Sequence, residues 1–258
     1  MPETPEGAPS PSILTRGDGA TIAYHKIEGN GPGVVFLGGF KSDMTGTKAR
    51  TLENHCWSQG RAFLRFDYFG HGQSSGAFAD GTIGRWSEDA LAVLDDLTQG
   101  PQVLVGSSMG GWLMVLVALA RPGSVAGLLG IAAAPDFTEV LMWQRFSDEV
   151  KTELEQTGVH YQPSDYDDGP YAITMALIED GRHHQVLERP IAVHCPVRLI
   201  HGMKDDAVPW EHAARLSEAL LSDHVTLALV KNGDHRLSRE QDLDRMCHTL
   251  ERLCEEVG

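Results

Sequence analysis

Gly106-Ser107-Ser108-Met109-Gly110-Gly111 lies between two apolar runs, Gln102-Val103-Leu104-Val105 before it and Trp112-Leu113-Met114-Val115-Leu116-Val117 after it. A strand, a tight glycine-flanked serine and a buried helix form the setting of a nucleophile elbow. The turn is so sharp that its central serine takes a strained backbone conformation, and small residues are needed two positions to either side. Gly106 and Gly110 supply them for Ser108, whereas Ser107 has Val105 and Met109 at those positions. The Ser108 hydroxyl is therefore expected at the C-terminal end of a strand and the N-terminus of a helix, where backbone N–H groups stabilise a developing oxyanion.

Glycines around a serine also occur in ordinary strand–helix turns, so the meaning of this frame depends on the residues further along the chain. Serine chemistry on such a turn needs an acid and then a histidine, in that chain order. Pro196-Val197-Arg198-Leu199-Ile200-His201 reads as a short buried strand, followed by Gly202-Met203-Lys204-Asp205-Asp206-Ala207-Val208-Pro209. The Gly-x-x-Asp spacing and the Val-Pro three residues on favour Asp205 over its neighbour Asp206. Asp136, in Ala134-Pro135-Asp136-Phe137, is a second rival. Val225-Thr226-Leu227-Ala228-Leu229-Val230 reads as a last strand, and the loop Lys231-Asn232-Gly233-Asp234-His235-Arg236 comes after it.

The roles are set by chemistry. A serine hydroxyl is a weak nucleophile near neutral pH until a base takes its proton. His235 is the expected base and then the acid to the leaving group, and Asp205 is expected to hold its tautomer. An oxyanion hole needs a second N–H from the loop after the third strand. That strand is Gly33-Val34-Val35-Phe36-Leu37 and the loop is Gly38-Gly39-Phe40, so the Phe40 and Met109 amides are the candidates. His183-His184 reads as a solvated pair, and no Cys/His set has zinc spacing. No metal and no cofactor are expected.

Arg65-Phe66-Asp67-Tyr68-Phe69-Gly70-His71-Gly72-Gln73-Ser74-Ser75-Gly76, with the serine, acid and histidine segments, resembles the α/β-hydrolase superfamily over nearly the whole chain. Longer runs, Met44 to Ala49, Gly100 to Met114, His201 to Trp210 and Asp234 to Arg236, are similar to a mitochondrial branch of that superfamily in animals. Its activities are acyl-protein thioesterase (depalmitoylase) and esterase for mycophenolic acid acyl-glucuronide. Carried over position by position, the resemblance implies Ser108, Asp205 and His235 as the triad. It also implies hydrolysis of an ester or thioester.

Composition bounds the rest. A chain of 258 residues is long enough for one α/β domain with a buried core. No apolar run reaches membrane-spanning length. The formal net charge of −15 and the lack of basic clusters argue against nucleic acid as a partner. It also disfavours strongly anionic substrates unless a local arginine compensates. Cys56, Cys195, Cys247 and Cys254 form no disulfide framework, and the last two are expected to fill one face of a helix. Met1-Pro2-Glu3-Thr4-Pro5-Glu6 is acidic and Pro-rich, unlike a transit segment. The expectation is a disordered tail over residues 1–11 and a cytoplasmic protein.

Strand and helix patterns alternate along the chain, which predicts a mostly parallel sheet of about eight strands with helices on both faces. Residues 137–190 break the alternation. Helical apolar spacing over Thr138–Gln156 and Ala172–Ile178, around the polar stretch Pro163–Pro170, predicts a helical cap inserted in a core of residues 12–136 and 191–258. Leu141, Met142, Trp143, Phe146, Tyr171, Ile173 and Met175 are its candidates for lining an acyl pocket, or for packing the cap on the core. The reading is a serine hydrolase for esters or thioesters of apolar acyl groups. Its partners would be small-molecule esters or thioesters, or an acylated protein. Hydroxynitrile lyase and cofactor-free haloperoxidase share such a triad, and a catalytically idle receptor or scaffold is the alternative from another class.

Overall fold

The apolar runs become strands whose alternate residues feed two separate cores. The computed structural model describes residues 10–163 and 170–258. Most of the tail expected over residues 1–11, and most of the polar stretch Pro163–Pro170, lie outside the described residues. A hairpin turning at Gly17-Asp18-Gly19 joins β1 (Ser12–Thr15) to β2 (Thr21–Ile27). Then β3 (Asn30–Leu37) leads to α1 (Thr47–Ser58), and β4 (Arg61–Phe66) to α2 (Ile83–Leu97). β5 (Gln102–Ser107) runs through the elbow into α3 (Met109–Ala120), and β6 (Val125–Ile131) comes next.

Between β6 and the next strand of the main sheet lie α4 (Asp148–Thr157), a two-stranded hairpin of β7 (Val159–Gln162) and β8 (Tyr171–Thr174), and α5 (Met175–His183). β9 (Val197–Gly202), α6 (Trp210–Ala219), β10 (Val225–Val230) and α7 (Glu240–Val257) complete the chain. The main sheet has the order β1-β2-β4-β3-β5-β6-β9-β10. Among the described residues, the antiparallel pairings within this sheet are those of β2, with β1 and with β4.

Period-2 alternation sorts the strand side chains. Val34 and Phe36 of β3 and Val103 and Val105 of β5 join one core, with Leu52 of α1 and Leu250 and Cys254 of α7. Val35, Leu37 and Leu104 join the other, with Trp86 of α2, Trp112 of α3 and Leu216 of α6. The helix α3 is apolar nearly all round because it is buried nearly all round. Cys254 is buried and Cys247 packs beside that core, so α7 uses them as small apolar residues.

The two stretches expected to be helical, Thr138–Gln156 and Ala172–Ile178, each depart from that pattern at their start. Thr138–Met142 is a single π-type turn and Trp143–Arg145 a 3-10 turn, and a regular helix starts only at Asp148. The cause is Ser147, whose side chain accepts the Val150 N–H as an N-cap, with Asp148 and Glu149 in the first turn. Likewise Thr174 caps α5 by accepting the Leu177 N–H at 3.1 Å. Tyr171 to Thr174 are thus left extended, and they pair with β7 rather than joining the helix. Among the described residues no helix is long and apolar enough to cross a membrane.

Candidate active site

The elbow forms as the glycine pattern requires. Ser108 has φ 54° and ψ −118°, a left-handed conformation that costs a non-glycine residue about 1–3 kcal/mol. Surrounding hydrogen bonds hold it. Its N–H donates to the Ile131 carbonyl at 2.9 Å, and its own carbonyl accepts from Gly111 and Ala134 at 2.9 and 3.0 Å. The two small neighbours are demanded by crowding. A Cβ on Gly106 would stand 2.3 Å from the Gly110 carbonyl oxygen, and one on Gly110 would stand 2.1 Å from that of Leu37.

Both contacts are with backbone, so neither can yield by a rotamer change. Gly110→Ala is expected to cost about 2–3 kcal/mol of stability through overpacking. A urea unfolding midpoint unchanged from wild type would show that the loop after β3 yields instead.

Asp205 lies just past the end of β9 and is buried, whereas Asp206 beside it is exposed. The Asp205 Oδ1 accepts the N–H groups of Ala207 and Val208 at 3.0 and 2.8 Å, which makes Ala-Val-Pro a cradle for the carboxylate. His235 comes from the loop after β10. The two loops meet backbone to backbone, because a Cβ on Gly202 would stand 2.4 Å from the Gly233 carbonyl oxygen. Leu237, fully buried, plugs the far end of the His235 loop, and its N–H donates to Asp234 at 2.9 Å.

The structure brings the three predicted residues into one line. His235 Nδ1 lies 2.7 Å from Asp205 Oδ2, and His235 Nε2 lies 3.1 Å from Ser108 Oγ. The rival Asp136 is turned elsewhere, its two carboxylate oxygens accepting the Val186 and Leu187 N–H groups, each at 2.9 Å. Burial alone would raise the Asp205 carboxyl. Hydrogen bonds from His201 and His235, the charge of His235 and the Val208 amide outweigh it and hold the group well below the usual carboxylate range. Asp205 is therefore an anion wherever an imidazole titrates.

Sequence reasoning missed two supporting groups. His201 is fully buried on β9, with Nε2 2.9 Å from the Val208 carbonyl oxygen and 3.3 Å from Asp205 Oδ2. A carbonyl only accepts, so Nε2 carries the proton and its N–H is shared with the carboxylate. A histidine directly after the apolar pair Leu199-Ile200, four residues before the acid, was the available signal. Lys48 of α1 donates to the Arg236 carbonyl at 2.7 Å and so ties the His235 loop to the far side of the site. Burial lowers this ammonium to about 8.

A cavity of about 410 Å³ opens beside Ser108 and His235. Of the seven candidate acyl-pocket residues only Tyr171 lies on its wall. Ile173 is fully buried, Leu141 and Met142 pack on the core, and Trp143 lies under the Arg182 guanidinium. The wall is built instead from the loop after β3, the start of α1 and the His235 loop. It carries Phe36, Phe40 and Ala49, and also Lys41, Lys48 and Arg236. Three cationic side chains and one carboxylate, Asp43, thus stand at this cavity in a chain of net charge −15.

Residues 34–158 match the family model described as alpha/beta hydrolase fold. The chain is 43% identical over 248 residues to a mitochondrial palmitoyl-protein thioesterase, ABHD10, of Homo sapiens, an alignment covering 96% of this chain and 81% of the relative. Its fold superposes with a TM-score of 0.90 on the solved structure of alpha/beta hydrolase domain-containing protein 10 from mouse. That pair is 41% identical, covering 97% of this chain and 100% of the mouse one. A solved structure from Agrobacterium vitis S4 gives 0.91 at 42% identity, with 96% and 100% covered.

The human relative carries a mitochondrial name, as do its bovine and orangutan counterparts, and this overturns the expected cytoplasmic compartment. Cysteine usage separates oxidising from reducing surroundings but does not distinguish one reducing compartment from another. With a relative this similar along nearly its whole length, and a sheet order and elbow of the matching kind, the chain belongs to the α/β-hydrolase fold family.

Proposed function

We propose that this chain is a serine hydrolase that cleaves carboxylic esters or thioesters of apolar acyl groups. The observation that carries the reading is the unbroken hydrogen-bonded line from Asp205 through His235 to Ser108. In the first half-reaction Ser108 Oγ attacks the acyl carbon while His235 Nε2 takes the hydroxyl proton. The negative charge that collects on the carbonyl oxygen is met by the Phe40 and Met109 N–H groups. Collapse of that intermediate breaks the bond to the leaving alcohol or thiol, which receives the proton from His235. In the second half-reaction water gives a proton to His235 and attacks the acyl-enzyme. The acid departs and Ser108 regains its proton. Asp205 remains ionised, holds the imidazole in one tautomer and offsets its transient charge. No metal or cofactor takes part in these steps.

Residues 137–190 act as a cap in this reading, reaching the cavity through Tyr171, whose ring meets that of Phe40 at 5.8 Å between centroids. The name of the human relative favours a fatty acyl thioester on a protein as the substrate. A second reading, an ester whose leaving group carries a carboxylate such as an acyl-glucuronide, is favoured by Lys41, Lys48 and Arg236 on the cavity wall.

Hydrolysis of one panel tests both: short and long p-nitrophenyl esters, an S-palmitoyl peptide and an acyl-glucuronide, with Ser108→Ala as the control. Ser108-dependent turnover supports the reaction, and the best substrate chooses between the leaving groups. A folded protein that turns over none of them overturns the proposal in favour of a lyase, haloperoxidase or scaffold role.

A further inference from the structure

The loop Asp67–Gly76 supplies no group to the acyl-transfer steps, yet it holds a buried histidine against the loop after β3. His71 is 4% exposed. Its Nδ1 lies 3.1 Å from the Phe69 carbonyl oxygen, and its Nε2 accepts the Lys41 backbone N–H at 3.2 Å. A carbonyl oxygen only accepts and an amide N–H only donates, so the ring has one allowed state. The proton is on Nδ1, the lone pair is on Nε2 and the imidazole is neutral. Burial, only partly offset by the Phe69 bond, lowers this histidine to about 4, which keeps that state through the neutral range.

What the ring holds is strained. Lys41 has φ 55°, a left-handed conformation for a long side chain, and it directly follows Phe40. The same aromatic cluster clamps His71 and Phe40. His71 meets Tyr68, Phe78 and Trp86 edge-on at 5.6, 5.2 and 5.2 Å between centroids, and Phe40 meets Phe78 and Trp86 at 4.9 and 5.9 Å. The loop that carries His71 is itself anchored. Asp67 accepts the Gln73 N–H at 2.9 Å and the Met44 N–H at 2.7 Å, and Gly72, at φ 45°, lies so close to that carboxylate that no Cβ fits. Asp67 therefore fixes the far end of the loop after β3, and His71 fixes its middle.

We propose that His71 is a positioning residue for the oxyanion donor at Phe40: its Nε2 lone pair accepts the Lys41 N–H and keeps the left-handed turn that aims the preceding amide at the reacting carbonyl. The inference rests on the serine-hydrolase reading and adds to it a residue that touches neither substrate nor triad.

Two variants of the full chain test it, His71→Leu, which fills similar space without an acceptor, and His71→Gln, whose Oε1 can take the Lys41 N–H. Each is assayed for kcat and KM on the best ester of the panel. Each is also assayed for inhibition by a trifluoromethyl ketone, which forms a tetrahedral oxyanion on the serine, and by the product acid, which does not. For His71→Leu, kcat is expected to fall roughly 10- to 100-fold with KM within about 3-fold, because only the transition state uses the aimed amide. The ketone's inhibition constant should rise in step, the product's should not move, and His71→Gln should recover most of the lost kcat.

A His71→Leu enzyme with wild-type kcat, or a folded His71→Gln enzyme no better than it, overturns the proposal. ¹⁵N NMR of the histidine rings in the wild-type protein keeps the test open should His71→Leu not fold. A proton on Nε2 of His71 would refute it without any variant. Ser108→Ala, measured alongside, separates the two layers. Turnover that survives the loss of Ser108 ends the serine reading, whereas a silent His71→Leu beside a dead Ser108→Ala ends the positioning role alone.

Discussion

Ser108→Ala is expected to lower turnover of any substrate of the panel by about 10⁶-fold, the scale of losing the nucleophile from a serine triad. The change removes one oxygen. Alanine keeps the Cβ, so it meets the same cost at φ 54° and ψ −118° that serine meets. The bonds that hold the elbow use the backbone N–H and carbonyl of residue 108, not the hydroxyl. The thermal midpoint should therefore stay close to that of wild type while the rate collapses. Matched measurements of melting and of p-nitrophenyl ester hydrolysis check both halves. Equal rates in the two proteins would remove Ser108 from the reaction, and a joint loss of rate and fold would make the serine structural.

Asp205→Asn should lower kcat by about 10⁴-fold, because an amide there imposes the wrong imidazole tautomer. The local bonds make this outcome specific. Oδ1 accepts two backbone N–H groups, from Ala207 and Val208, so the asparagine carbonyl oxygen must take that place. The NH₂ group then takes the place of Oδ2 and points at His235 Nδ1. Nδ1 has to accept, the ring proton moves to Nε2, and the base facing Ser108 is lost. Asp206→Asn, at an exposed position, should change kcat little. The reverse ranking in steady-state kinetics would move the acid to Asp206.

Much of the candidate site's geometry was legible because its signals are local. Gly106, Ser108 and Gly110 lie within one turn, and the crowding they relieve is the crowding of that turn. Asp205 was separable from Asp206 because the Ala-Val-Pro segment that cradles it is only two to four residues away. What could not be read was set by distant contacts. The cavity wall formed by Lys48 and Arg236 joins positions 188 residues apart. The Lys41–His71 bond joins two loops that no periodicity links. The acyl-pocket candidates failed for a related reason. Met and aromatic residues suit either a cavity or a core, and packing sent Leu141, Met142 and Ile173 to the core. The β8 hairpin strand was hidden by apolar spacing that fits a helix equally well until Thr174 is seen to cap one.

The order of the sheet distributes risk unevenly among the three partners. Ser108 comes after a strand flanked on both sides, and Asp205 after β9, which is flanked by β6 and β10. His235 hangs from β10, a border strand with a single hydrogen-bonded neighbour and a half-exposed face. Fraying begins at such borders, well below the free energy of global unfolding. His235, the proposed proton carrier, would thus be the first partner lost. In a denaturant series, activity should vanish while the tryptophans buried at the centre, Trp86 and Trp112, still report a native environment. Coincident midpoints for activity and tryptophan fluorescence would mean that β10 is as firmly held as the strands inside.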